Sequence, residues 1–402
     1  MAEQLSVRRS AAGSTQHKSV GRGFRFVTGD MDGPLFAIVI ALLVIGLIMM
    51  FSASYPAAIE DGHSGTFYAV KQLKFALFGV AAMVVFGTIV DYHIFQKLWI
   101  SGGAFAVSLL MLVLVLFVGE TQGTFATRWL TLPGIGLTFQ PSEVMKFSIV
   151  VFFATMIVRN ANRMNTFRFG VVPFMGMLGI VCVLMLLQPH ISGTIIIAVL
   201  AMTLLFVGGM KLSHFFGICI AGVAAIGGYI LMKVINNGGS YIKDRFISWW
   251  DPFNVSYMQD ETWQTCQSLI AIGSGGFFGL GLGASRQKYQ YLPEPQNDFV
   301  FAILCEEFGF VGAATVILLF CLLIFRGFYI AAKANDKFGM LVAVGLTMHI
   351  GLQALLNIAV VSNMIPNTGI SLPFFSYGGT ALVMQLIEMG ILLNISRQAH
   401  LN

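Results

Sequence analysis

Between Tyr291 and Gly309 the chain reads "YLPEPQNDFVFAILCEEFG", which sets Asp298 at the start of a strongly apolar run and carries Glu306 and Glu307 inside it. A carboxylate at such a boundary has two readings. It can cap the helix that follows, accepting from the free N–H groups of its first turn, or it can serve as a general base that takes a proton from a hydroxyl nucleophile. Cations gather near the ends of other apolar runs and between them: Lys71, Lys74, Arg128, Lys146, Lys233, Lys243, Arg245, Arg286 and Lys288. As a set they suit a phosphate or pyrophosphate at headgroup depth, which Arg and Lys hold by charge-assisted hydrogen bonds. Taken singly, some are expected to pair with Asp244, Asp251, Asp260 or Glu294, as exposed charges commonly do. Glu306, Glu307 and Glu388 lie deeper, where a charge costs roughly 2.5 to 3.5 kcal/mol. They should face protein, a partner or water, protonated or paired, in structural or coupling roles.

Composition identifies the elements that must position these residues. Of 402 residues, 57% are hydrophobic and 10% charged, too few charges to cover a soluble domain; the mean hydropathy is +0.82. A hydrocarbon core about 30 Å thick needs roughly 20 apolar residues per helix. Ten runs approach that need: 34–54, 75–90, 98–118, 144–158, 170–187, 191–209, 215–234, 299–325, 338–365 and 377–395. None alternates like a barrel strand, so the expected fold is an all-α polytopic membrane protein with ten transmembrane helices.

Residues 1–33 form a polar arm, expected to be flexible and cytoplasmic, because Arg8, Arg9, Lys18, Arg22 and Arg25 precede the first run. The arm is too long and polar for a signal-peptide n-region, which makes the first helix a retained anchor. Ten crossings of a 34–397 membrane domain return a short 398–402 tail to the cytoplasm. Lys97, Arg159, Arg163, Arg168, Lys211, Arg326, Lys333, Lys337 and Arg397 then all fall inside. Orientation accounts for the net charge of +5, and no nucleic-acid partner is expected.

Two long connections face outward, 119–143 and the larger 235–297 between the seventh and eighth helices. The second is rich in Trp, Tyr, Phe and Gly, which argues against disorder. Residues 263–272 have the spacing of a short amphipathic helix in the interface, where Trp249, Trp250 and Trp263 would also rest. Gly273, Gly275, Gly276, Gly279, Gly281 and Gly283 follow no strand and lack P-loop spacing. Their expected role is to bend backbone sharply beside a ligand or a helix end. The five cysteines show no metal-ligand spacing, and no disulfide is expected.

At "RWLTLPGIGLTFQPSEVMK", "YLPEPQNDFVFAILCEEFGFVG" and "PNTGISLPFFSYGGTALV" the chain closely resembles the SEDS family, the shape, elongation, division and sporulation proteins that include RodA, FtsW and SpoVE. The likeness runs from "IGLIMMFSAS" to "GILLNISR", leaves out only the polar arm, and leans toward the FtsW and SpoVE side. It implies ten transmembrane helices and a peptidoglycan glycosyltransferase that polymerises lipid II on the outer face of the cytoplasmic membrane. It also implies a class B penicillin-binding protein as crosslinking partner, alongside other division or elongation membrane proteins. Asp298 takes the position of the family's essential aspartate. Arg128, Trp129, Glu143 and Lys146 match the "RW" and "QPSEVMK" elements, and Glu294 matches the acidic residue just before the aspartate. One departure is His190 in "QPHISGT", where many relatives carry Asp; no acid or metal-binding role is assigned to it, and a local hydrogen-bonding role is expected.

The implied reaction joins a GlcNAc 4-hydroxyl to the anomeric carbon of a MurNAc that leaves a lipid pyrophosphate. Asp298 would be the base, and one inversion converts an α-linked donor to a β-1,4 chain. Lys146, Arg128, Arg245, Arg286 and Lys288 would stabilise the leaving pyrophosphate, with Trp129, Glu143 and Glu294 also at the substrate. A divalent cation, Mg²⁺ or Mn²⁺, held by Asp298 or Glu294 could share that task. Two other classes remain open: a flippase for lipid-linked precursors, and a non-catalytic scaffold for a transpeptidase.

Overall fold

A computed structural model describes residues 29–119, 128–132, 137–236, 248–253 and 262–399. The residues form a helical bundle: α1 Gly33–Glu60, α2 Phe67–Thr88, α3 Leu98–Val118, α4 Pro141–Arg159, α5 Val172–Leu187, α6 Ile191–Val207, α7 Leu212–Asn236, α8 Trp263–Ser274, α9 Val300–Lys333, α10 Lys337–Val361 and α11 Gly379–Gln398. Among the described residues eight segments are long and apolar enough to cross a membrane, and the shorter apolar helices Ile191–Val207 and Leu212–Ala225 occupy two further expected positions. This is a multi-pass membrane architecture. Helix α2 begins at Phe67, well before the apolar run that marks it at Phe75, because Tyr68, Lys71 and Gln72 extend it beyond its apolar part. In the 119–143 connection a short antiparallel hairpin, β1 Leu130–Leu132 with β2 Leu137–Phe139, departs from the all-helical expectation.

Helices α4 and α10 are the most enclosed; α4 packs on α3, α6 and α10, while α2 packs on α11. Between apolar helices in lipid, close fit replaces the hydrophobic effect as the cause of association. At the α2–α11 seam a Cβ on Gly390 would lie 2.5 Å from the Met83 carbonyl oxygen, so only glycine permits this separation.

Helix α9 is broken at Gly309, whose φ of 64° and ψ of −160° suit glycine alone. The break is filled by the glycine-rich loop that follows α8. Leu280 and Gly281 donate to the carbonyls of Glu306 and Glu307 at 3.0 and 2.9 Å, and Phe310 and Val311 donate to those of Gly276 and Phe277 at 3.0 and 3.2 Å. The glycines thus bend backbone beside a helix end. Irregular backbone within an apolar bundle is tolerable where protein satisfies it. Helix α8 lies where the amphipathic segment was expected, and packs on α9 and α10 through Cys266, Ser268 and Ala271. Ser268 Oγ donates to the Val361 carbonyl at 2.8 Å.

The start of α1 and the end of α11 meet at one end of the bundle. Arg397 Nε donates to the Gly29 carbonyl at 3.0 Å, and Asp32 pairs with Arg326 of α9. At this same end Gln398 reaches Asp91 at 3.2 Å, and His93 lies between Asp91 and Asp336 at 2.7 and 3.6 Å. The expected polar arm, residues 1–28 of it, lies outside the described residues.

Candidate active site

At the opposite end a cavity of about 430 Å³ opens among the starts of α2, α4, α6, α9 and α11 and the second half of α10. Several helix N-termini therefore direct their partial positive charge toward it, which favours an anion. Lys71, Arg128, Lys146, Glu143, Glu294 and Asp298 all contribute to its wall.

Asp298 stands one residue before Phe299, the N-cap of α9, and is half-buried. Its backbone is pinned by Asn357 of α10, whose amide donates to the Asp298 carbonyl at 2.8 Å and to the Ile370 carbonyl at 2.6 Å. The Asp298 carboxylate lies against Gly369, where an added Cβ would be 3.2 Å from Oδ2 and φ is +64°. Just upstream, Glu294 has a φ of 45° and accepts from the Asn297 side chain at 2.8 Å. Tyr377 N–H donates to the Gln296 carbonyl at 2.8 Å, tying this turn to the loop that leads into α11. That loop is anchored by Gln72 of α2, which bonds Ser376 and Gly378, and by Gln385, which accepts from Phe374 N–H. The Gly378–Gly379 pair of the final-helix motif does allow close approach, since a Cβ on Gly379 would meet the Phe75 ring at 2.5 Å.

Lys146 is buried one turn into α4 and pairs with Glu143 at 2.8 Å. Its ammonium also donates to Gln353 Oε1 at 3.1 Å, while the Gln353 amide donates to the Ser371 carbonyl and hydroxyl. Gln353 and Asn357, one helical turn apart on α10, thus hold Lys146, the Asp298 turn and the 369–371 segment in one frame. Arg128 donates to the Pro189 carbonyl at 2.7 Å. Lys71 sits over the Tyr377 ring, 6.0 Å from its centroid. His190, the residue before α6, is buried on the cavity wall; burial, reinforced by the charges of Arg128 and Lys146, pushes its pKa well below the ordinary value.

Arg286 and Lys288, expected at a phosphate, do not line this cavity. Lys288 is buried in the loop filling the α9 break, where it bonds Glu307 at 2.9 Å, Ser52 at 2.9 Å and the Gly283 carbonyl at 2.8 Å. The Arg286 backbone donates to Glu306 at 2.9 Å and its side chain is exposed. Glu306 also accepts from Ser285. The mid-run acids are therefore paired or hydrogen-bonded, and Glu388 likewise meets His349 at 2.8 Å. Arg245, with Lys243, Asp244 and Asp260, lies outside the described residues.

Sequence reasoning misses Gln353, Asn357, Ser371 and Gly369 as site residues, and places Lys71 only among the general cations. Two amides spaced i, i+4 in an apolar run are the available signal, since buried amides in a membrane helix need partners. Among the described residues no group of three or more acidic, His or Cys side chains could hold a metal. Mg²⁺ needs only one or two carboxylates when phosphate oxygens complete its shell, and Asp298 and Glu294 are both carboxylates of the cavity wall.

Fold and site together define a polytopic helical membrane protein with a cavity walled by three cations, Lys71, Arg128 and Lys146, and three carboxylates, Glu143, Glu294 and Asp298. The family profile FtsW–RodA–SpoVE, described as "Cell cycle protein", matches residues 34–401, and the chain belongs to that family. Stage V sporulation protein E of Bacillus subtilis is 40% identical over 368 residues, covering 90% of this chain and 96% of that protein. The probable peptidoglycan glycosyltransferase FtsW of Geobacter sp. strain M18 is 35% identical, covering 91% and 96%. In fold, the chain is similar to one from a peptidoglycan synthase complex that coordinates polymerization and crosslinking, with a TM-score of 0.72, 24% identity and coverage of 92% and 99%. It is similar also to the rod shape determining protein RodA of Thermus thermophilus, with a TM-score of 0.63, 23% identity and coverage of 92% and 98%.

Proposed function

We propose that this protein is a peptidoglycan glycosyltransferase that polymerises lipid II at the cavity, with Asp298 as general base. The carrying observation is the meeting of Asp298 with Lys146, Arg128 and Lys71 around one cavity, at the bundle end remote from both described chain ends. With ten crossings and both termini cytoplasmic, that end faces outward, where lipid-linked sugars are exposed.

The GlcNAc 4-hydroxyl of one lipid II attacks the MurNAc anomeric carbon of the other as Asp298 accepts its proton. Base catalysis of this kind contributes roughly 10² to 10⁴ in rate. The bond to the polyprenyl pyrophosphate breaks with inversion, and Lys146, Arg128 and Lys71 neutralise the charge that gathers on the leaving oxygens. Trp129, Glu143 and Glu294 shape the surrounding wall. A divalent cation, Mg²⁺ or Mn²⁺, held by Asp298 and Glu294 with phosphate oxygens, would supply further charge neutralisation. The crosslinking partner is a class B penicillin-binding protein, a reading supported by the fold's likeness to a chain of a synthase complex.

The test is glycan synthesis from lipid II by purified protein, with its transpeptidase if required. Asp298→Asn should abolish synthesis while the protein keeps its melting temperature and its partner. Full polymerisation by that variant would remove the base assignment. Transfer of labelled lipid II across liposomes without glycan would replace the enzyme with a flippase.

A further inference from the structure

The His190 ring joins the cavity wall beside two cations, yet its Nδ1 is buried and has no hydrogen-bond partner. A Cβ added at Gly193 would lie 2.9 Å from that nitrogen, so the Nδ1 edge is sealed against the start of α6. A sealed nitrogen without an acceptor carries a lone pair at less cost than it carries a hydrogen, because an unpaired buried N–H forfeits its full solvation. The neutral ring therefore keeps its hydrogen on Nε2, the one nitrogen left for a ligand. Protonation would place an unpaired N–H at Nδ1 and a third positive charge beside Arg128 and Lys146, the charged groups that act on the ring from the hairpin side and from α4.

We propose that His190 is a neutral ligand-binding residue that donates Nε2–H to an oxygen of the pyrophosphate held by Arg128 and Lys146. This rests on the reading of the cavity as a lipid pyrophosphate site. A neutral histidine at position 190 offers a phosphate oxygen a donor, which an ionised carboxylate there would not.

Full-length protein in nanodiscs is titrated with farnesyl pyrophosphate, a short polyprenyl pyrophosphate. His190→Leu should weaken binding by roughly tenfold or more, the scale of a lost hydrogen bond to a charged group. His190→Gln, which keeps a neutral donor, should stay within about threefold. Arg128→Gln should also lose affinity. If it does while His190→Leu binds as wild type does, the histidine proposal fails alone; if neither variant changes binding, the pyrophosphate reading fails as well. ¹⁵N-histidine spectra, assigned by subtraction of the His190→Gln spectrum, give a readout independent of binding. They should show a neutral Nε2–H ring from pH 6 to 8 (about the range where an ordinary imidazole titrates), and an imidazolium or an Nδ1–H ring there would overturn the proposal.

Discussion

The Asp298 carboxylate gains its position from residues that touch no substrate in the proposed reaction. Asn357 fixes the backbone on either side of it, bonding Asp298 and Ile370 carbonyls together. Asn357→Leu should leave both carbonyls without their donor and let the turn drift. A misplacement near 1 Å can cost about 10²-fold in rate, so kcat should fall by roughly that factor with KM changing far less, read by glycan synthesis over a lipid II series. Lys146 presents a different case, since it neutralises the buried Glu143 as well as facing the cavity. Lys146→Met alone should destabilise the protein by about 3 to 5 kcal/mol by stranding that carboxylate. Adding Glu143→Gln should restore most of the melting temperature but none of the polymerisation. A double variant as unstable as the single one would show that the pair's charge balance is not what the lysine maintains. Asp298, Glu294, Glu143, Lys146, Arg128 and Trp129 are recognisable in the sequence because their motifs are local. Gln353 and Asn357 are not, because their partners lie in other helices.

At the level of elements, apolar length is the most readable property. The run 98–118 coincides with α3, and the run 144–158 falls inside α4. Hydropathy fails at the start of α2, where lysine and glutamine belong to a helix whose apolar run has not yet begun. It fails differently at Lys288. Charge and proximity to the substrate motif suggest a phosphate ligand, but the chain folds back so that a lysine 19 residues before Glu307 meets it inside α9's break. Nothing in linear spacing reveals that return; it depends on Gly309. Gly309→Ala would put a Cβ 2.3 Å from the Gly279 nitrogen in a conformation only glycine adopts readily. The expected outcome is a loss of about 1 to 3 kcal/mol from backbone strain alone, with further loss from the displaced loop. Thermal unfolding in detergent measures this, and an unchanged melting temperature would mean that the loop and helix yield without cost.

Across the whole molecule, the end opposite the cavity is fastened by a titratable cluster. Burial works against the charged form of His93, but hydrogen bonds to Asp336 and Asp91 prevail and raise its pKa to about 9. Burial likewise opposes the Asp91 carboxylate, yet its bonds with His93 and Gln398 lower it to about 2. A raised histidine contributes stability in full below its ordinary value of 6.5, and loses that contribution as pH climbs through about 9. Melting temperature should therefore decline between pH 6.5 and 9 in the wild type and decline less in His93→Gln. Equal slopes would remove the histidine from the account. Solvent reaches part of this cluster, so the effect should be modest and should shrink with salt.

The seam between α2 and α11 joins the second helix to the last, with Gln72 bonded to the loop just ahead of α11. A ribosome making this chain must finish nearly all of it before that seam can close. Until then the walls contributed by the early helices wait in the bilayer without a floor, and a nascent or truncated product ending before Gly379 holds every charged group of the cavity but no enclosed chamber in which to use them.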